Sequence, residues 1–516
     1  MLIVEKEKRP SIITINANPP WKGLTYRIVV WMCFALFLGV YIPIFRDSVL
    51  QDWRVLIVLA VCFLCAVILN RTERFQYSII RKHCHVFSPF VFIFMLIVFI
   101  QLISAYFMQM SFSTWDVKVV NNAAKMLAVG DVEKLNQVYF SRYQNNLGIL
   151  FILSAVYRVS WILFHSVSDY YAIIFNLLAV DFALILTLLF VIKKWGYSSA
   201  FKLAIAMLFF SPFYLYIPIF YTDTLSMPFL AAVPLMVDSC CENKETENTS
   251  GLRGKILPIM LGILLFIGSA IKGSLLILLI AVSIYTILRL NWKRWLPVLS
   301  CVFLGFILSS FMWSTFVFDT GIVTRESSYE HKFPPQHWVM MGMQGRGNFN
   351  NDDVKYTASF SGYDKKVQAT TKEIKRRADE MKICGLLRQA YKKATTYAWN
   401  YGTYYAERYL GDQGDEPVRY NWLHEFVLSQ GKYHAWFYIL TQGYYLFLFL
   451  GMVIGLAYAA MHKLNLMYFF QTISLLGCLI FFMLWETHPR YILHFSVFFI
   501  TVGTVGWECV LHPKTS

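Results

Sequence analysis

Thirteen long apolar runs constrain this chain more than any other feature. They fall near residues 26–45, 54–70, 87–108, 148–164, 170–192, 201–220, 225–237, 256–271, 274–290, 295–317, 435–460, 465–484 and 491–511. Most approach the ~20 residues that a helix needs to cross a hydrocarbon core. They lack two-residue alternation and are too long for the strands of a barrel. The expected fold is an all-α polytopic membrane protein. Composition agrees, with 57% hydrophobic and 15% charged residues in 516, a proportion that a soluble chain of this size does not need.

The net charge of +15 is not read as nucleic-acid binding, since no basic–aromatic module of a known type appears. In membrane proteins, basic residues collect in short cytoplasmic loops and against anionic lipid. EKEKRP, NRTERFQYSIIRKHCH, IKKWG, ENKETENTSGLRGK, RLNWKRW and MHKLN are accordingly assigned to the cytoplasm. Only one full crossing then fits between Met110 and Lys193, although two apolar runs lie there. Either the run 147–164 lies along or dips into the membrane without crossing, which is the preferred reading, or IKKWG breaks the rule. Both termini are expected in the cytoplasm. MLIVEKEKRPSIITINANPP lacks a signal-peptide pattern, so the first apolar run is expected to stay as an anchor.

Three regions follow. Residues 1–317 form an N-terminal transmembrane module with a first external loop at 109–147. Residues 318–434 form an extracytoplasmic segment, and 435–516 the C-terminal transmembrane helices. Within the segment, YDKKVQATTKEIKRRADEMKICGLLRQAYKKA reads as an amphipathic helix resting on the membrane surface. Long loops are largely exempt from the positive-inside tendency. Cys33, Cys62, Cys65, Cys301, Cys478 and Cys509 lie in apolar runs, Cys240 and Cys241 in a short polar loop, and Cys384 in the polar segment. No disulfide pair is evident there, and CFLC at 62–65 sits mid-helix, where packing explains it better than zinc.

Under this topology Asp116, Asp223, Lys272, Glu486, His488 and Arg490 all lie near ends of apolar runs on one side. One such residue alone is as easily a snorkelling side chain; six on one face point to function. A carboxylate in a partly dry site takes a proton from an attacking hydroxyl. Lysine and arginine hold phosphate, arginine in bidentate fashion. An acid beside a phosphate clamp suits transfer from a lipid-phosphate donor, whose leaving group gathers charge.

These residues sit in TWDVKVV (114–120), RYQNNLG (142–148), FYTDTLSMPF (220–229), IKGS (271–274), HWVMMGMQGRGNFNNDD (337–353), TTYAWNYGTYY (395–405) and WETHPRYIL (485–493). In that order, between apolar runs, the chain resembles the GT-C superfamily of multi-pass glycosyltransferases that use polyprenyl-phosphate sugars, in a branch common in Gram-positive bacteria. The resemblance implies a GT-C-like bundle of about 11–13 helices with a partly helical external segment. It implies Asp116 as general base and Trp115 as a wall of the site. Lys272, Arg490 and His337 are implied to hold the donor phosphate or lipid, and Asn145, Asn146, Asp223, Glu486 and His488 to bind substrate. The implied partners are a polyprenyl-phosphate sugar donor, a cell-wall polymer or lipid-linked glycan as acceptor, and membrane lipid, with no nucleic acid.

The pattern departs from the family in three places. Glu486–Thr487–His488–Pro489–Arg490 stands where asparagine–serine–arginine is frequent, and Gly273 where proline is. The first loop carries one clear aspartate rather than a DxD pair, which puts divalent-metal dependence in doubt; no metal ligand or cofactor is assigned. Asp352 and Asp353 form the alternative cation pair, with an exposed turn the preferred reading. A lipid-linked sugar flippase or transporter is the rival function, but it predicts midplane charges and two related halves. A non-catalytic subunit of a wall-polymer complex is the second rival.

Overall fold

A computed structural model describes residues 20–72, 88–110, 115–132, 135–242, 252–411, 420–462 and 466–511. In hydrocarbon every backbone polar group must find its partner within the chain, so long apolar runs become helices. The principal ones are α1 (Pro20–Gln51), α2 (Val55–Arg71), α3 (Ser88–Phe107), α4 (Val117–Val129), α5 (Leu147–Phe164), α6 (Asp169–Leu208), α7 (Met227–Glu242), α8 (Leu252–Ile271), α9 (Leu276–Arg289), α10 (Trp292–Asp319), α11 (Tyr363–Lys393), α12 (His434–His462), α13 (Leu466–Leu484) and α14 (Ser496–Leu511). Strands are absent among the described residues. Among the described residues ten helices are long and apolar enough to cross a membrane, with α2 and the stretch 273–289 shorter apolar helices. The protein is an all-α polytopic membrane protein.

Contacts sort the helix ends into two sets. At one end Lys22 meets the Leu290 carbonyl, Lys193 meets Asp238, and Lys202 meets Glu508. At the other, Gln442 meets Ser48, Asn176 meets the Tyr216 and Ile217 carbonyls, and Lys272 meets Asp223. α6 leaves helical geometry at Gly196, with φ 88° and ψ 176°, so the runs 170–192 and 201–220 are the two limbs of one bent element. The second limb ends at Leu208 and gives way to irregular backbone and one-turn helices before Asp223.

α5 behaves differently from its neighbours. Its start is tied to the Asp223 end, where Tyr221 donates to Asn146 Oδ1 at 3.1 Å. Its far end leads through residues 165–168 into Asp169, two turns before Asn176, which is bonded to that same end. Both ends of α5 therefore lie at one end of the bundle, although its length and composition suit a span. It runs beside α4: Arg158 donates to the Ala128 carbonyl at 2.8 Å. Asn121, Lys125 and Tyr157 all bind Asp169.

α14 is the innermost helix, while α3 and α10 face outward along most of their length. It lies against α12 with backbones nearly touching. A Cβ at Gly506 would meet the Gly451 carbonyl oxygen at 2.0 Å, and one at Gly503 the Leu448 oxygen at 2.5 Å. Small residues permit such close approach in lipid, where apolar burial alone gives helices no reason to associate. This contact fixes the turn that precedes α14, which carries Glu486 and Arg490.

Three sequence expectations need correction. Cys240 and Cys241 are not in a polar loop but buried in the last turn of α7. Asp353 is not in an exposed turn: it is buried, and its carboxylate takes both Arg377 Nη2 at 2.6 Å and Nη1 at 3.1 Å. α11 does form, but it breaks at Lys382, with φ 54° and ψ 176°, and buries Lys366, Ala369, Thr370 and Lys393. It packs against Pro335–Gly342 and α13 rather than lying free along its whole length.

Candidate active site

Asp223 begins the site. It lies in a single helical turn, Thr222–Leu225, just before α7, and is 2% exposed. A carboxylate at that depth needs a partner, and it has two cations. Lys272 Nζ lies 2.6 Å from Oδ1 and Arg490 Nε 3.7 Å from Oδ2. Lys272 occupies the extended break between α8 and the 3-10 turn Gly273–Leu275. Arg490 lies in the 3-10 turn Pro489–Phe495, and α14 holds that turn in place. Ser274 and His494 join the two turns, Oγ to Nε2 at 2.9 Å.

The guanidinium of Arg490 is surrounded by rings. Its central carbon is 4.1 Å from the Trp115 ring centre, 4.9 Å from Tyr409, 5.3 Å from Tyr221 and 5.4 Å from Tyr491. Ring faces stabilise a cation that has left water. Arg490 is buried, yet its Nε and Nη1 have no hydrogen-bond partner among the protein groups.

Asp116 stands on the open side of this cage, next to Trp115 and just before α4. Its side chain is accessible, but protein crowds it, so it lines a recess. Burial pushes its carboxyl above the ordinary range, while Tyr139, the Arg490 charge and Asn146 pull the other way. Tyr139 is fixed by a 2.7 Å bond from Asn146 Nδ2. The first loop is thereby tied to the Asp223 turn through Asn146 and Tyr221.

Glu486 is a second buried acid in the same recess. Burial lifts its carboxyl to about 7 and Asp116 adds to the lift, while Arg490, Tyr491 and Lys272 oppose it. His488 sits among Tyr397, Tyr405, Tyr409 and Tyr491, with its Nδ1 2.9 Å from the Tyr409 hydroxyl. Burial, then the Arg490 charge, hold it well below its ordinary pKa. Trp338, Gly347 and Lys393 brace this turn. The Glu486 N–H donates to the Trp338 carbonyl at 2.9 Å and the Thr487 N–H to Gly347 at 2.7 Å. Trp338 and Trp485 stack at 5.7 Å, and Lys393 donates to the Met483 and Trp485 carbonyls.

The structure thus gathers Trp115, Asp116, Asn146, Asp223, Lys272, Glu486, His488 and Arg490 at one end of the bundle. Asn145 is at the edge, exposed and bonded to Asn146 Oδ1. His337 is not brought to the cluster by any described contact. Its ring is buried 4.4 Å from Phe333, its Nδ1 meets Thr357 Oγ1 at 2.7 Å, and burial takes its pKa down to about 4. The neighbouring Trp338 makes the contact instead. Tyr139, Tyr221, Tyr409 and Tyr491 were not singled out from sequence. Tyr221 and Tyr491 lie inside the quoted motifs; Tyr409 has no local signal. Among the described residues, no group of three His, Cys, Asp or Glu is arranged to hold a metal.

The fold and this one-sided cluster define a multi-pass membrane protein with a polar recess at one end. A family described as conserved hypothetical integral membrane protein matches residues 40–510, and the chain belongs to that family. It is also similar to ArnT from Cupriavidus metallidurans, solved bound to undecaprenyl phosphate, at 12% identity and a TM-score of 0.37, over 81% of this chain and 78% of that one. No curated protein matches the chain.

Proposed function

We propose that the protein is a GT-C-type membrane glycosyltransferase, moving a sugar from a polyprenyl-phosphate donor to a cell-envelope glycan. The observation that carries this reading is the charge balance around Asp223. Two cations share one buried carboxylate, and two nitrogens of Arg490, Nε and Nη1, have no protein hydrogen-bond partner. A phosphate completes that balance, and guanidinium is built for phosphate.

In this reading the acceptor hydroxyl attacks the anomeric carbon from the side opposite the phosphate. Asp116 takes the hydroxyl proton as the new bond forms, and burial raises its pKa in the direction that makes it a stronger base. The bond from the anomeric carbon to the phosphate oxygen breaks, and its electron pair leaves with the polyprenyl phosphate. Lys272 and Arg490 stabilise the developing charge. Configuration at the anomeric carbon inverts. Asp223 holds the two cations in register, and the rings around Arg490 keep water from competing for it.

The recess belongs on the outer face. The opposite end carries Lys193, Lys194, Arg289, Lys293 and Arg294, as the positive-inside tendency requires of a cytoplasmic face. α4 and α5 then lie along the outer surface, and residues 318–434 cover the site from outside the membrane.

The test is a transfer assay in lipid, with a panel of radiolabelled polyprenyl-phosphate sugars and crude wall acceptor. Wild-type protein is expected to label a wall glycan with at least one donor. Retention of lipid-phosphate binding with no transfer from any donor would overturn the enzyme in favour of a flippase.

A further inference from the structure

Aromatic rings continue outward beyond the cage of Arg490. Trp115 lies 4.7 Å from Tyr409 between ring centroids, Tyr409 5.6 Å from His488, His488 5.8 Å from Tyr405, and Tyr405 4.9 Å from Tyr401. Tyr409 is buried, whereas Trp115, His488, Tyr405 and Tyr401 are each half-buried. A cluster made only for packing would close over its rings; this one leaves a row of them open at the edge. Arg408 and Arg346 flank its outer part, both exposed. The Arg408 guanidinium is 5.9 Å from the Tyr405 ring centre, and Arg346 acts electrostatically on Tyr401.

The backbone under the row is strained. Tyr404 and Tyr405 have φ of 52° and 65°, the left-handed region that bulky residues enter only when their surroundings force it. The surroundings do so here. The Tyr404 carbonyl accepts from the Tyr216 hydroxyl at 2.7 Å, and the Gly402 N–H donates to Gln442 Oε1 at 2.8 Å. Thr403 Oγ1 donates to Glu407 at 2.7 Å. The result sends Tyr404 into the core, 2% exposed, and leaves Tyr405 facing His488.

We infer that this row, Trp115–Tyr409–His488–Tyr405–Tyr401, is the acceptor track, and that the acceptor is an extended glycan of several sugar units rather than a single sugar headgroup. The inference rests on the transferase reading above. Aromatic faces pack against the apolar faces of sugar rings, and Trp115, His488, Tyr405 and Tyr401 are the half-buried members of the row. Tyrosine, histidine and arginine edges meet the hydroxyls. The inner end of the row is Trp115, next to Asp116, so a chain laid along it presents its terminal hydroxyl to the base. The outer end lies at Tyr405 and Tyr401, on a segment whose Trp399 and Tyr404 pack against Phe37 of α1 and against Phe449 and Tyr445 of α12.

The experiment uses fragments of the wall glycan that takes up label in the transfer assay, from a single sugar to a hexamer, with full-length protein in lipid. KM is expected to fall with each added sugar over the first few units and then level off. Tyr405→Ala and Tyr401→Ala should each raise KM for the hexamer about two- to tenfold, the worth of one aromatic contact, and shrink the hexamer-to-monomer ratio, with the loss in KM rather than kcat. Tyr405→Phe keeps the ring and should recover most of the hexamer-to-monomer ratio lost in Tyr405→Ala, which separates lost stacking from a damaged fold. A KM that does not change with length, in protein that transfers sugar, would overturn the track while leaving the transferase intact. Labelling of no fragment by wild-type protein would instead remove the transferase reading, and the track with it.

Discussion

Both ends of the bundle bury charge, and they do so differently. At the end near Glu508 three lysines meet three acids. Lys202 lies 3.0 Å from Glu508, and Lys193 and Lys194 meet Asp238 and Glu242 within 2.5–2.9 Å. At the other end Lys272 and Arg490 share Asp223, while Asp116 and Glu486 stand nearby with raised pKa values. A balanced pair holds helices together, since separating it strands a charge in low dielectric. An unbalanced set costs stability unless a ligand completes it, and perturbed carboxyls gather where chemistry is done. The difference separates a structural end from a working end without reference to any relative.

Substitutions should split along the same line. Arg490→Gln, in the unbalanced set, is expected to lower transfer by about 10²–10³-fold, while the helical content in circular dichroism stays as in wild type. Lys202→Met, in the balanced set, should leave Glu508 without a cation, bonded only by Ser199, and destabilise the fold by about 3 kcal/mol. Turnover per folded molecule should be unchanged. A loss of turnover in the second variant matching that of the first would erase the contrast.

Two smaller effects depend on pH. The Glu486 carboxyl lies at about 7 in the fold against 4.5 for an ordinary glutamate. Between those values the folded state keeps a proton that the unfolded chain has lost, so this group's contribution falls as pH rises through the window. Glu486→Gln should therefore raise the melting temperature at pH 8 and leave it nearly unchanged at pH 4.5, a difference on the order of 1 kcal/mol. His337 has the opposite sign. Held at about 4 against 6.5, it lets the unfolded chain bind a proton first, so stability is lost as pH falls from 6.5 towards 4. His337→Gln should flatten that acid limb in a melting series, by about as much as the Glu486 effect, and leave turnover at pH 7 nearly unaltered.

Much of the fold was legible because hydrocarbon leaves so few choices. An apolar run such as 465–484 becomes α13, Leu466–Leu484, and basic clusters such as IKKWG mark one end. The same bookkeeping of run ends put Asp116, Asp223, Lys272, Glu486, His488 and Arg490 on one side, where the structure brings them together. The cage was not legible. Tyr409 meets Trp115 and His488 from a segment with no helical period of its own, and contacts between distant positions leave no local pattern. His337 lies apart from the cluster for a related reason. A histidine beside a motif looks like a ligand, but only packing shows that it is closed in by Phe333 and bonded to Thr357. The Asp352–Asp353 pair also divides on tertiary grounds, since one acid finds Arg377 and the other stays exposed beside Lys355 in the first turn of the helix Asn351–Ala358.

The central claim is that the unbalanced end binds a lipid phosphate and that Asp116 drives transfer from it. The most direct measurement compares Asp116→Asn with wild type in the same lipid preparation, scoring donor binding and sugar transfer together. The expected result is donor binding within about twofold of wild type and transfer lower by about 10²–10⁴-fold, the range for a removed general base. Transfer by Asp116→Asn at the wild-type rate would contradict it.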